Sequence, residues 1–283
     1  MKKVIIFIFS ISYLLPCFSQ QIETNSKREV IFAFEVKQID EFFERFNNSA
    51  GSFFAAYLQT HFPGILPDRF ALLKSLFDLK KISGNAKLAE EFCLQVSDTI
   101  NPSYLDFYSH EWYAEAICKF ALNGRPIEIT LLLKIERTSN GGSKWMIAGV
   151  YSRDMVPAVV KIGFPEKNTC CKFLNPMSHA TNFISLSRAF GDKTNLPDYL
   201  DSNFLHHPYS ATFTQALLKN QLQYHYVREI RYHFLQVEGW VFTVSQYRRQ
   251  SIHSGWLISN LIKANALEKE QFRHALFHKS MQK

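Results

Sequence analysis

Apolar residues recur at helical spacing in three places within the first hundred residues. Over residues 36–46 they share one face of a helix, and Asn47 and Asn48 follow as stop residues. The second pattern covers residues 70–79 and the third covers residues 86–96. The spacing therefore predicts three amphipathic helices before the first strand.

From residue 112 onward the apolar period becomes two, which is typical of strands with one buried face. Asn123-Gly124 and the Asn-Gly-Gly run at 140–142 are turn signals, and residues 144–151 form the next strand. The alternation is clearest at Ile127, Ile129, Leu131, Leu133 and Ile135. Helices followed by strands predict an α+β fold, with helices packed on a curved antiparallel sheet.

The second half repeats this order. Residues 157–176 carry three prolines and little periodicity, which indicates a linker, and helical stretches near 182–190 and 210–218 precede strands from 222 onward. A shift of 111 residues places Trp145 on Trp256 and residues 127–151 on 238–262. The pattern predicts two related domains in tandem, 20–156 and 177–283. A single continuous sheet across 110–262 would argue against the duplication.

The first nineteen residues predict a cleavable signal peptide. Lys2 and Lys3 precede an apolar run over residues 4–15, Pro16 follows, and Ser19 offers a small residue for cleavage. The run is shorter than the roughly 20 apolar residues that a membrane anchor needs. We therefore expect an exported protein, periplasmic or extracellular, that is not an integral membrane protein.

The charge of the chain is unevenly distributed. The formal net charge is +7, and residues 166–283 carry an excess of Lys and Arg while residues 20–165 are nearly neutral. A basic half favours an anionic partner, and outside the cytoplasm an anionic glycan, a lipid headgroup or an acidic protein is expected rather than nucleic acid. A solvated basic surface without a partner is the alternative.

The most unusual stretch covers residues 223–234. Read as a regular strand, it places Tyr224, Tyr226, Arg228 and Tyr232 on one face, where aromatic rings and an arginine suit sugars or anions. These four residues are the predicted ligand-binding set, and ordinary packing of aromatic residues in a sheet is the alternative. No nucleotide-binding, zinc-protease or nucleophile-elbow motif occurs in the chain, so no cofactor, metal or catalytic residue is predicted.

Four cysteines remain after the signal peptide. An oxidising compartment permits disulfides, and four cysteines allow three pairings. Cys170 and Cys171 are adjacent, which disfavours a bond between them, and Cys93 and Cys118 are interpreted as small buried apolar residues. The pairing is left open.

The helix over 36–46, the following helices and the strands that end at 144–151 resemble the nuclear transport factor 2-like superfamily. The resemblance covers residues 30–155 best, and residues 178–265 resemble a shorter copy. It implies a bent sheet wrapped around a helix to form a cone. Members include isomerases, dehydratases and cyclases as well as non-catalytic binding modules. The enzymes place an acidic or histidine base in the cone, with tyrosine or acid hydrogen-bond donors. Asp40, His110 and Tyr113 are the candidates here for such roles, but they do not form a matching set.

Two functions follow as expectations. The first is a non-enzymatic exported module that binds a ligand or a protein. The second is a cavity enzyme of isomerase, dehydratase or cyclase type. The enzyme requires a deep pocket that holds an ionisable residue beside a tyrosine, whereas the binding module is expected to have a shallow or filled cone.

Overall fold

The strands of the described chain form one antiparallel sheet of six strands. The computed structural model describes residues 28–49, 51–64, 68–82, 85–138, 141–158 and 172–277. The sheet order is β3-β2-β1-β4-β5-β6, so the first strands of the two halves pair with each other at its centre. The strands are β1 (Trp112–Leu122), β2 (Arg125–Arg137), β3 (Ser143–Tyr151), β4 (Leu222–Phe234), β5 (Trp240–Tyr247) and β6 (Gly255–Lys263).

Short helices precede each group of three strands. The predicted helix over 86–96 is confirmed, whereas the first helix begins only at Ile39 and the second ends at Ser75. Asn48 ends the first helix in the left-handed conformation, as the stop residues predicted. The helices are α1 (Ile39–Asn47), α2 (Phe53–His61), α3 (Arg69–Ser75), α4 (Leu79–Ile82), α5 (Ala86–Val96), α6 (Leu186–Gly191), α7 (Ser210–Leu218) and α8 (Ala266–Phe277), with 3₁₀ helices at Pro176–Thr181, Lys193–Tyr199 and Phe204–His206.

One aromatic core fills the inner face of the sheet. Phe42 and Phe46 of α1 stack on Phe234 and Phe242, with ring centroids 5.8 and 5.9 Å apart, and these two sheet residues stack on each other at 4.9 Å. The same continuous core includes residues of α5, α6 and α7. Stacked rings therefore occupy the space between α1 and the sheet.

The α+β class is confirmed, but the two tandem domains are not. Strands from both halves share one sheet and one core, and helical residues of each half cover the edge strand of the other half. The amide of Asp78 donates to the carbonyl of Ile258 on β6, and the amide of Asp201 donates to Ile147 on β3, each at 2.9 Å. The signal peptide at 1–19 and linker residues 159–171 lie outside the described residues.

The two hairpins nevertheless share a register. Ile135 lies opposite Trp145, and Gln246 lies opposite Trp256, so the shift of 111 residues conserves the pairing. Both hairpins also have a β-bulge at the equivalent place, between Leu132 and Leu133 and between Thr243 and Val244. The repeat that the sequence indicates therefore corresponds to an approximate twofold rotation that relates the two hairpins within one sheet.

The axis of this approximate twofold rotation passes between β1 and β4, near the start of β1 and the end of β4. Ala114 lies opposite Tyr232, and a shift of 118 residues carries Ala114 onto Tyr232 and Glu115 onto His233. Ala114 also pairs with Leu133, and Tyr232 pairs with Val244. The rotation that relates β1 to β4 therefore also relates β2 to β5. The centre of the sheet is therefore where the two halves contribute equivalent positions side by side.

Candidate functional site

The outer face of the sheet is only partly covered. Helix α8 packs there through Phe272, Leu276 and Phe277, which contact a small apolar cluster that includes Tyr113 and Leu132. The Nζ of Lys269 fixes the start of the helix by donating to the carbonyls of Leu235 and Val237, at 2.6 and 2.7 Å. The strands beside α8 remain accessible.

Two adjoining hollows follow these strands, and we call them together the outer groove. The first, of about 890 Å³, lies over β4, β5 and β6 beside α8. The second, of about 640 Å³, lies over β1, β2 and the residues that follow β3. Both are lined by Glu115, Arg228 and Arg231, so they meet over the central strand pair.

A buried polar chain forms the floor where the hollows meet. The Nε2 of His233 lies 2.8 Å from Oε2 of Glu115, and its Nδ1 lies 3.1 Å from the hydroxyl of Thr243. All three side chains are buried. With Glu115 ionised, Nε2 carries a proton and donates to the carboxylate, so Nδ1 accepts from the Thr243 hydroxyl unless the ring is doubly protonated. This floor can hold and move a proton.

Ion pairs at the middle of the groove position two arginines. Arg228 contacts Glu128 at 2.9 Å and Glu229 at 3.6 Å, and Arg231 contacts Glu229 at 2.6 Å. A hydrogen bond from Lys119 lowers the pKa of Glu128, against a small opposing effect of burial, with help from the charge of Arg228. These pairs are about 40% exposed, so they contribute little stability, and their arginines stay accessible to a ligand.

Basic residues outnumber acidic residues around the groove. Its lining holds six basic and four acidic side chains, in addition to His233. Lys81, Arg153 and Arg248 are exposed, and none of them has an ion pair within the described residues. The groove therefore presents accessible positive charge above a buried, hydrogen-bonded floor.

The predicted ligand-binding residues do not share one face. The β1–β4 register shifts twice, between Ile117 and Cys118 and between Lys119 and Phe120, and each shift inserts one extra residue in β4. An extra residue reverses the alternation of side chains, so the single face predicted for residues 224–234 is wrong.

Only Arg228 of the predicted set lines the outer groove. Tyr224 points inward against Phe120 and Phe190, and Tyr232 is fully buried in the core; burial raises the pKa of both phenols. Tyr226 is exposed and does not line the groove. Sequence reasoning missed Glu115, His233 and Thr243, which come together only through pairing of distant strands.

The three candidates for a catalytic role, Asp40, His110 and Tyr113, are not brought together. Nε2 of His179 lies 3.0 Å from the carboxylate oxygens of Asp40, and Nδ1 of that ring lies 2.8 Å from the carbonyl oxygen of Pro176. His110 contacts the carbonyl of Ile135, and Tyr113 is buried under Phe277 of α8, where burial raises the pKa of its phenol. The arrangement gives no shared site for these residues.

Two of the four cysteines lie in the described part of the chain. Cys93 and Cys118 are buried there, as the sequence predicted, neither forms a disulfide among the described residues, and burial raises the pKa of Cys93 to about 12. Cys170 and Cys171 lie outside the described residues. Among the residues described, no cluster of three or more His, Cys, Asp or Glu side chains could hold a metal ion. Likewise, no described helix combines the length and apolarity needed to cross a membrane.

No protein-family model, curated protein or solved structure matches this chain. The resemblance to the nuclear transport factor 2-like superfamily therefore stays a prediction.

Proposed function

We propose that the protein is an exported binding module whose outer groove receives an anionic ligand. The observation that carries the proposal is the pairing of a buried polar floor, Glu115–His233–Thr243, with exposed cations on the rim. Cations that have no ion pair among the described residues, beside fixed hydrogen-bonding groups, favour recognition of carboxylate or phosphate. Export rests on the signal-peptide prediction for residues 1–19.

The filled inner face supports binding over the alternative. The cavity enzyme requires an enclosed pocket, whereas the aromatic rings of α1, β4 and β5 pack tightly on the inner face. One observation favours an enzyme of isomerase, dehydratase or cyclase type, because His233 between a carboxylate and a hydroxyl can act as a proton carrier. His233 faces an open groove, however, and open grooves suit binding of extended ligands.

Removing one rim cation is expected to weaken anion binding. Arg248→Gln lowers the positive potential of the first hollow, so the affinity for citrate, a small tricarboxylate, should fall about five- to tenfold. Isothermal titration calorimetry on the purified protein measures the change. Arg188→Gln on α6 removes the same charge from an exposed position outside the groove lining and should leave the affinity unchanged.

Native mass spectrometry on the protein purified from a bacterial periplasm adds a second readout. A mass excess that disappears on denaturation and corresponds to an acidic molecule would support the proposal. The proposal fails if no anion binds saturably, citrate and inorganic phosphate included, or if Arg188→Gln weakens binding as much as Arg248→Gln.

A further inference from the structure

We infer that the ligand of the outer groove is an acidic oligosaccharide, a chain of sugars with carboxylates at intervals. This inference rests on the proposed function and adds the chemical class of the ligand. Three properties of the groove carry it: its length across the strands, the chemistry of its lining, and the spacing and sign of its charges.

The groove is long enough for an extended molecule. Its lining residues come from β2, β1, β4, β5 and β6, which are consecutive neighbours in the sheet. Four inter-strand steps correspond to about 19 Å at the usual strand separation of about 4.8 Å. The hollows meet at Arg228 and Arg231, so one ligand can cross both. A single small anion would occupy only a fraction of this length.

The lining suits hydroxyl-rich molecules. Short hydroxyl and amide side chains line both hollows: Thr130, Ser152, Thr243, Ser245, Gln246, Ser259 and Asn260. Ser245 and Ser259 are already linked at 3.0 Å, which orders their hydroxyls for a second bond. Each hollow also includes one tyrosine, Tyr151 or Tyr247, whose amphipathic ring can contact a sugar face and a sugar hydroxyl.

The charges along the groove favour carboxylates at intervals. Basic side chains occur in the first hollow (Lys81, Arg248), at the junction (Arg228, Arg231) and in the second hollow (Lys119, Arg153). Glu128 and Glu229 contact the arginines at the junction, and Asp154 lines the second hollow. Their carboxylates repel an anion that carries several charges on each unit. The pattern therefore favours a chain with one carboxylate on each sugar ring over a polyanion with several charges on each unit.

A lipid surface fits this groove poorly. The outer groove is concave and lined largely by polar side chains, and Phe272, Leu276 and Phe277 of α8 are packed against the sheet. A lipid headgroup would reach the arginines only by leaving its acyl chains over polar side chains. Sedimentation with vesicles therefore serves to distinguish a lipid surface from a glycan.

Matched ligands test the inference. Oligogalacturonate and its methyl ester share the same sugar rings and differ in charge, and calorimetry on the purified protein should give at least tenfold tighter binding for the acid. A pentaglutamate peptide carries carboxylates without sugar rings and should bind at least tenfold more weakly than oligogalacturonate. The double variant Arg228→Gln/Arg231→Gln should lose at least tenfold in affinity for the acid, whereas Arg188→Gln retains it. Thermal unfolding of each variant checks that the fold is kept.

Each of the alternative results would contradict the inference and would show which part of it is wrong. Equal binding of the acid and its ester, or of the acid and pentaglutamate, excludes recognition of an acidic sugar. Citrate binding without oligogalacturonate binding rejects the ligand class but leaves the anion-binding function intact. Failure of every anion rejects both proposals. Sedimentation with vesicles of phosphatidylcholine and phosphatidylglycerol, together with no oligosaccharide binding, would replace the glycan by a lipid surface.

Discussion

Gly255→Ala is expected to destabilise the fold by about 3–5 kcal/mol, because the new methyl group would strike the backbone of another segment. A Cβ at this position would lie 2.0 Å from the carbonyl oxygen of Val36, and the backbone of Gly255 has a φ of +90°. Neither side can retreat freely, since the amide of Trp256 donates to that same carbonyl at 2.8 Å and the amide of Val36 donates to Ser254 at 3.2 Å.

Gly124→Ala is the control that separates the stability cost of the steric clash from the stability cost of the left-handed backbone conformation. Gly124 has a similar φ of +81° in the β1–β2 hairpin, but a Cβ there meets nothing within 4 Å. Its replacement should therefore cost only the left-handed penalty, about 1–2 kcal/mol. Urea unfolding followed by circular dichroism measures both variants. Equal losses for the two variants would show that the close approach of residue 36 to β6 does not matter for stability.

The sequence predicted elements well where local pattern alone determines them. Alternating apolar residues located β2, and helix α7 has the bounds that its pattern suggested, because these periods reflect one buried face. The start of α1 was predicted too early. Val36 is fully buried and fits the helical stripe, yet it is buried against the edge of β6 instead of on the helix.

The topology could not be read from the same patterns. A period of two shows that a strand has a buried face but not which strand lies beside it, and β1 pairs with β4 across more than a hundred residues. The repeat suggested two domains because each half contains three strands in sequence. The pairing of β1 with β4 joins these halves, and one core then covers both.

The candidate site was missed for a related reason. Glu115 and His233 are 118 residues apart, and neither lies in a recognisable motif. The only available signal was the polar alternation of Glu229, Arg231 and His233. In a regular strand these residues lie on the face opposite to the one predicted for the tyrosines. The bulge opposite Ile117 and Cys118 then placed Arg228 on that polar face, and bulges leave no clear mark in an apolar period.

Asp78→Asn is the second large expected effect, a loss of about 3–5 kcal/mol in the free energy of unfolding. The Asp78 carboxylate is fully buried, and both of its oxygens accept from the guanidinium of Arg249 at 2.8 Å. An amide cannot accept both bonds or neutralise the arginine, so a charge is left without its partner. Glu91→Gln at the exposed pair with Lys263 is the matched control and should cost less than about 1 kcal/mol.

The effect of Asp78→Asn should depend on pH in a defined direction. Burial raises the pKa of Asp78, but the hydrogen bonds and charge of Arg249, with the amide of Lys80, outweigh it, so the pKa lies below its ordinary value. A group with a lower pKa in the folded state stabilises the fold above its unfolded pKa and loses this contribution as the pH falls. The stability difference between wild type and Asp78→Asn should therefore be constant from about pH 5 to 7 and shrink below about pH 4. Urea unfolding across this range measures it, and a difference that grows on acidification would contradict the assignment of Arg249 as the partner that lowers the pKa of Asp78.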